Sequence, residues 1–196
     1  SLLMITQIKG RLVEKNPAYI VLDCNGVGYL LRISLNTYSK ISDSENCMLY
    51  TYLSIKEDSH TLFGFMEKTE RELFTSLISV SGVGPNTAQM ILSSLSPEQA
   101  HQAIMNSNVS ALQSVKGIGG KTAQRIILDL KDKLAKKDIQ INNSFPQHNT
   151  TREEALTALT MLGFAKKSIE QAVDKELSSE SNVDVEELVK RVLKKM

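Results

Sequence analysis

Two short segments carry the residue types and spacing needed to grip a phosphate. Val80-Ser81-Gly82-Val83-Gly84-Pro85-Asn86-Thr87-Ala88 returns 35 residues later as Val115-Lys116-Gly117-Ile118-Gly119-Gly120-Lys121-Thr122-Ala123. Two glycines one residue apart permit a tight turn whose backbone N–H groups point outward, while Val83 or Ile118 tucks inward as an anchor. A helix beginning near Asn86 or Lys121 adds the positive end of its dipole. Lys116, Lys121 and Arg125 add formal charge, with Thr87 and Thr122 beside the turns. Such contacts hold the sugar-phosphate backbone and read no base. Gly120-Lys121-Thr122 resembles the end of a P-loop, but that pattern needs glycine at 115, where Val115 stands, and a strand where a helix is expected. ATP hydrolysis by this chain is therefore not expected, and no other catalytic constellation stands out.

Other chemistry-bearing residues are sparse. Glu57-Asp58, preceded by Lys56, falls where a hairpin tip is expected, and two acids there read by themselves as solvated turn residues. Cys24 and Cys47 sit in apolar β-like runs without a CxxC, and read as reduced, packed thiols. His60, His101 and His148 are scattered, so no metal site is expected.

Three units must position these residues. From Met4 to Met66 short strands alternate, with Asn25-Gly26 as a hairpin turn, and a run from Cys47 to Leu53 pairs across Glu57-Asp58-Ser59 with His60–Phe65. That density of strands predicts a small closed barrel over 4–66. From Glu67 the period becomes helical, with Thr69-x-x-Glu72 as a capping-box pattern and Ser96-Pro97-Glu98-Gln99 as another helix start. Both glycine turns lie between apolar helical patterns, which makes 67–137 a tandem helix-hairpin-helix domain. The segment 138–150 has no period and several Asn, and reads as a flexible linker. Over 151–196, opening at Thr151-x-x-Glu154, apolar spacing predicts three short helices. The fold class is α+β and multidomain.

Lys plus Arg is 23 against 22 for Asp plus Glu, so any nucleic-acid affinity must come from local placement of charge. By segment, residues 4–66 carry six basic and six acidic side chains, 67–137 nine and six, and 138–196 eight and ten. The basic excess lies with the glycine turns. No run approaches the ~18 apolar residues of a membrane span, and a soluble, cytoplasmic protein is expected, with Ser1-Leu2-Leu3 ahead of Met4 reading as an expression remnant.

In order along the chain, Gly26-Val27-Gly28-Tyr29, Lys56-Glu57-Asp58, Leu62-Phe63-Gly64-Phe65, the two glycine turns and Leu162-Gly163-Phe164 resemble the RuvA family of Holliday-junction recognition subunits. The resemblance implies an OB-fold β-barrel, a tandem helix-hairpin-helix domain and a C-terminal three-helix UBA-like domain. It implies binding of four-way junction DNA by a homotetramer that can pair into an octamer. It also implies a hexameric partner ATPase, RuvB, which uses ATP and Mg, and the RuvC resolvase as a further partner; no cofactor is implied for this chain. Glu57 and Asp58 would be an acidic pin at the junction centre. Gly82, Val83, Gly84, Asn86, Thr87, Lys116, Gly117, Ile118, Gly119, Lys121, Thr122, Arg125 and Lys56 would form the phosphate-binding set. Leu159, Leu162 and Phe164, more often core in so small a domain, would meet RuvB. Two departures from the family pattern stand out: Asn86 where Lys is frequent, and Gly120 where a basic residue is frequent.

Two rival readings remain. The second turn is also similar to that of helix-hairpin-helix DNA glycosylase/lyases, in which a lysine at the place of Lys121 attacks the sugar. Those enzymes need an aspartate about one helix later in a Gly/Pro-rich setting, and Asp138 lacks that setting. A single-strand binder would want stacking aromatics, and the chain has no Trp and only 5% aromatic residues.

Overall fold

The computed structural model describes residues 4–42, 45–142, 148–179 and 183–195, with side chains described outside 137–150. Five strands, β1 (Gln7–Asn16), β2 (Tyr19–Cys24), β3 (Val27–Ile33), β4 (Asn46–Ile55) and β5 (His60–Phe65), close into a barrel in the order β1-β2-β3-β5-β4. All pairings are antiparallel except β3 with β5. A short helix, α1 (Leu35–Lys40), joins β3 to β4. That order, with a helix at that crossing, is the OB-fold arrangement. Ile20, Leu22, Leu31, Ile33 and Leu49 fill the interior. Between β2 and β3 the chain reverses with positive φ at both Asn25 and Gly26, the backbone that an Asn-Gly two-residue turn favours.

Helix α1 is not apparent in the apolar pattern. Its first turn is made by Ser34, whose side chain accepts from the Thr37 N–H at 3.0 Å. The expected capping box at Thr69 is absent: α2 runs Lys68–Ile78, with Glu67 at its N-cap position and no side-chain cap. The Glu67 carboxylate is paired instead with Lys40 at 2.8 Å.

After α2 come α3 (Pro85–Ser94), α4 (Pro97–Met105), α5 (Val109–Gln113) and α6 (Gly120–Asn142). The capping box at α4 forms in full: Ser96 Oγ accepts from the Gln99 N–H at 3.2 Å, and Gln99 Oε1 accepts from the Ser96 N–H at 2.9 Å. Phe74 of α2 is fully buried against three barrel aromatics, Tyr52, Phe63 and Phe65, at centroid distances of 5.4, 5.1 and 4.9 Å. Phe63 and Phe65 therefore belong to the core of the helical domain. Residues 1–137 form one compact unit and 138–196 another.

The described residues of the 138–150 segment, expected as a flexible linker, are helical. Helix α6 continues to Asn142, and α7 (His148–Met161) begins ahead of Thr151; 143–147 lie outside the described residues. With α8 (Lys166–Ser179) and α9 (Val185–Lys195), α7 buries Ala155, Leu159, Ile169, Val173, Leu188 and Val192 around a small core of its own. No helix among the described residues is long and apolar enough to cross a membrane.

Candidate nucleic-acid interface

The two glycine turns are the same structure built twice. The first links α2 to α3 and the second links α5 to α6. In the first, the Val83 N–H donates to the Val80 carbonyl at 3.0 Å and the Ala88 N–H to the Gly84 carbonyl at 3.0 Å. In the second, Ile118 donates to Val115 at 3.1 Å and Ala123 to Gly119 at 2.9 Å. Gly82 has φ +88° and Gly117 φ +90°, where a side chain would be strained. The anchors Val80, Val83 and Ala88, and their counterparts Val115, Ile118 and Ala123, are all buried.

Because the anchors point inward, Gly82, Gly84, Gly117 and Gly119 lie exposed, with open space where a Cβ would stand. A phosphate can thus approach the backbone of either turn. Asn86, Lys116, Lys121 and Arg125 are also exposed, and Thr87 and Thr122 are half-buried in the first turns of α3 and α6. The chain brings these candidate residues together as two clusters, one at each turn. Arg125 also joins them: its guanidinium donates to the Ser81 carbonyl of the first turn at 3.4 Å.

Sequence reasoning missed Arg32. This exposed residue of β3 donates from Nη1 to Asn86 Oδ1 at 3.0 Å. Its neighbours fasten α3 to the barrel, with Gln89 Nε2 donating to the Ile33 carbonyl at 2.6 Å and the Leu35 N–H donating to Ser93 Oγ at 3.2 Å. The only signal in the sequence was a lone charge in an apolar strand.

Glu57 and Asp58 are exposed at the β4–β5 tip, where the Lys56 N–H donates to the Ser59 carbonyl at 2.8 Å and closes the hairpin. The Ser59 hydroxyl donates to Asp58 Oδ1 at 3.2 Å. Lys56 is exposed at the base of the same loop.

In the third unit the candidates separate. Leu159 is fully buried, so its side chain holds the core and does not present itself to a partner. Leu162 is 60% exposed, and Met161, which the sequence reading passed over, 59%. The cause is the helix end: Gly163, at φ +96°, donates to the Thr160 carbonyl at 3.0 Å, and Phe164 donates to Leu159 at 3.2 Å. This is a Schellman stop, which folds Phe164 back onto the core and turns the preceding residues out.

Comparison with known proteins agrees with this geometry. Residues 4–64 match the RuvA N-terminal domain, 74–132 the SAM-like helix-hairpin-helix tandem, and 150–196 the RuvA C-terminal domain. A relative from Christiangramia forsetii is 53% identical over 98% of this chain and 100% of its own length. The chain belongs to the RuvA family. RuvA proteins from Flavobacterium psychrophilum and Bacteroides fragilis are each 49% identical, again over 98% of this chain and their whole length. All three relatives are described as RuvA subunits of the Holliday junction branch migration complex. As a RuvA family member the chain carries its two turns inside the matched helix-hairpin-helix tandem, and Glu57 and Asp58 inside the matched N-terminal domain.

Proposed function

We propose that this chain recognises four-way junction DNA by shape and serves as the DNA-binding, non-catalytic subunit of a branch-migration complex in recombination and repair. The observation that carries this reading is the pair of glycine turns with matching hydrogen bonds, set 35 residues apart in a chain whose relatives over 98% of its length are described as RuvA subunits of that complex. Each turn offers an exposed glycine backbone and a helix start to a phosphate, and neither offers a side-chain pattern that distinguishes bases. Binding is therefore to backbone geometry, on the minor-groove side of each arm.

A four-way junction has four equivalent arms, so a four-fold assembly seats one arm on each protomer. One protomer with a modest basic excess binds weakly. Four linked copies raise the effective concentration and multiply affinity by about 10² or more without a new kind of contact. Glu57 and Asp58 act by repulsion, keeping crossing strands apart while the turns supply affinity. The partner motor is a RuvB-type ATPase that uses ATP and Mg, met through the third unit at Met161 and Leu162, with RuvC as the resolving partner in the cytoplasm. The family assignment favours this reading over a glycosylase/lyase acting through Lys121.

A mobility-shift titration tests it, comparing a synthetic four-way junction with a linear duplex of the same sequence at two salt concentrations with Mg²⁺. Strong junction preference, in bands of four or eight subunits, is expected. Equal binding to both DNAs overturns it.

A further inference from the structure

The two glycine turns match in backbone but not in charge. Counting 35 residues along the repeat, Lys116 corresponds to Ser81 and Lys121 to Asn86, so the second turn carries two lysines of its own and the first carries no cation at the same two places. At each of those two places an arginine arrives from elsewhere in the fold. Arg32 of β3 donates to the Asn86 side chain at 3.0 Å, and Arg125 of α6 donates to the Ser81 carbonyl at 3.4 Å.

We infer that Arg32 is a phosphate-binding cation of the first turn, supplied by the barrel at the place where the second turn has Lys121, with Asn86 serving to aim it. This rests on the proposed junction-binding function and adds a barrel residue to its DNA interface. Arg32 lies outward on β3, in register with Phe63, whose ring packs into the helical domain, so the strand delivers the guanidinium to α3. One Asn86 oxygen uses only part of a guanidinium that has five N–H donors in a planar fork, and the side chain is exposed. Donors remain for a phosphate oxygen while the amide fixes the orientation of the group. A purely structural link would be out of place here. Gln89 with Ile33, and Ser93 with Leu35, already fasten α3 to the barrel using uncharged groups.

Salt titration separates the two roles, because a structural contact does not change the number of counterions released. Binding of the full-length protein to a synthetic four-way junction is followed by fluorescence anisotropy over a KCl series. The variants are Arg32→Ala, Arg32→Lys, Lys121→Ala and the double substitution Arg32→Ala with Asn86→Lys. Arg32→Ala is expected to flatten the slope of log K against log salt by about 0.9 for each protomer engaged, as Lys121→Ala does. Arg32→Lys should retain the slope, and the double substitution should restore it by placing a lysine where the second turn has one. An unchanged slope in Arg32→Ala beside a flattened one in Lys121→Ala overturns the inference and leaves junction binding intact. Failure of the unaltered protein to bind the junction overturns both.

Discussion

The Thr37 hydroxyl of α1 donates to Glu70 Oε2 of α2 at 2.7 Å, within a buried contact between the barrel and the helical domain. Asn36 Nδ2 donates to the same oxygen at 3.0 Å, and the Ser34 hydroxyl donates to Oε1. A fully buried carboxylate is thus satisfied by donors from a helix that the apolar pattern did not reveal. Glu70→Gln keeps the shape but turns an amide N–H₂ toward hydroxyl donors. The expected loss is about 1.5–3 kcal/mol, as for a hydrogen bond to a charged group, seen as a lower urea midpoint for the 1–137 unit.

Substitution of the turn glycines should divide by backbone conformation. Gly117→Ala forces a side chain into the left-handed region at φ +90°, costing about 1–2 kcal/mol, and should weaken DNA binding through the displaced N–H groups. Gly120→Ala, three residues on, starts α6 and meets only the end of the flexible Gln113 side chain at 3.1 Å. It is expected to be neutral or to stabilise by about 0.5–1 kcal/mol, with junction affinity unchanged. Thermal melts and mobility shifts on both variants check the pair.

The exposed acids at the β4–β5 tip should leave stability untouched when neutralised. Glu57→Gln with Asp58→Asn is expected to keep the melting temperature and the affinity for linear duplex. It should let the crossing strands of a bound junction close together, read by energy transfer between labelled arms. Unchanged transfer would remove the pin role.

In the third unit, burial separates two leucines three residues apart. Leu159→Ala should cost about 2–5 kcal/mol, visible as lost helical circular dichroism from that unit. Leu162→Ala should retain the helical signal and weaken the proposed association with a RuvB-type ATPase, measured by calorimetry.

The same unit should respond to acid. The Arg152 guanidinium, bonded to both Asp174 oxygens at 2.6 and 2.9 Å, holds that carboxyl below its ordinary 3.8. A depressed carboxyl stabilises the fold above its unfolded value, and the contribution is lost as pH falls through the lower, folded one. Both groups are partly exposed, so the effect is small. The urea midpoint of the third unit's helical signal should fall slightly as pH drops below the ordinary 3.8 of that carboxyl, and Asp174→Asn should flatten that dependence.

Much of this was legible in sequence because it rests on local backbone needs. Glycine at 82 and 117, Asn25-Gly26, and Ser96 with Gln99 each answer a requirement met within a few residues. The barrel strands were readable from their alternation. What escaped depends on partners distant in the chain: Arg32 meets Asn86 across 54 positions, and Glu70 meets Thr37 across 33. At the start of α2 the Thr69-x-x-Glu72 pattern does not form the cap, and Glu67 pairs with Lys40 from 27 positions away. Leu159 and Leu162 are both apolar at helical spacing. Only the Gly163 stop, which ends the helix between the buried and exposed positions, tells them apart.

Tyr52 lies on β4, and Phe63 and Phe65 lie on β5, the same two strands that meet at the Glu57-Asp58 tip. Their rings enclose Phe74, which sits in the helix leading into the first glycine turn. The hairpin therefore has one end clamped in the helical core, and the acidic tip and the first glycine turn are joined through that single aromatic contact. A change of ring size at Phe74 would thus disturb packing that the acidic hairpin and the helix leading to the first glycine turn hold in common, without touching either.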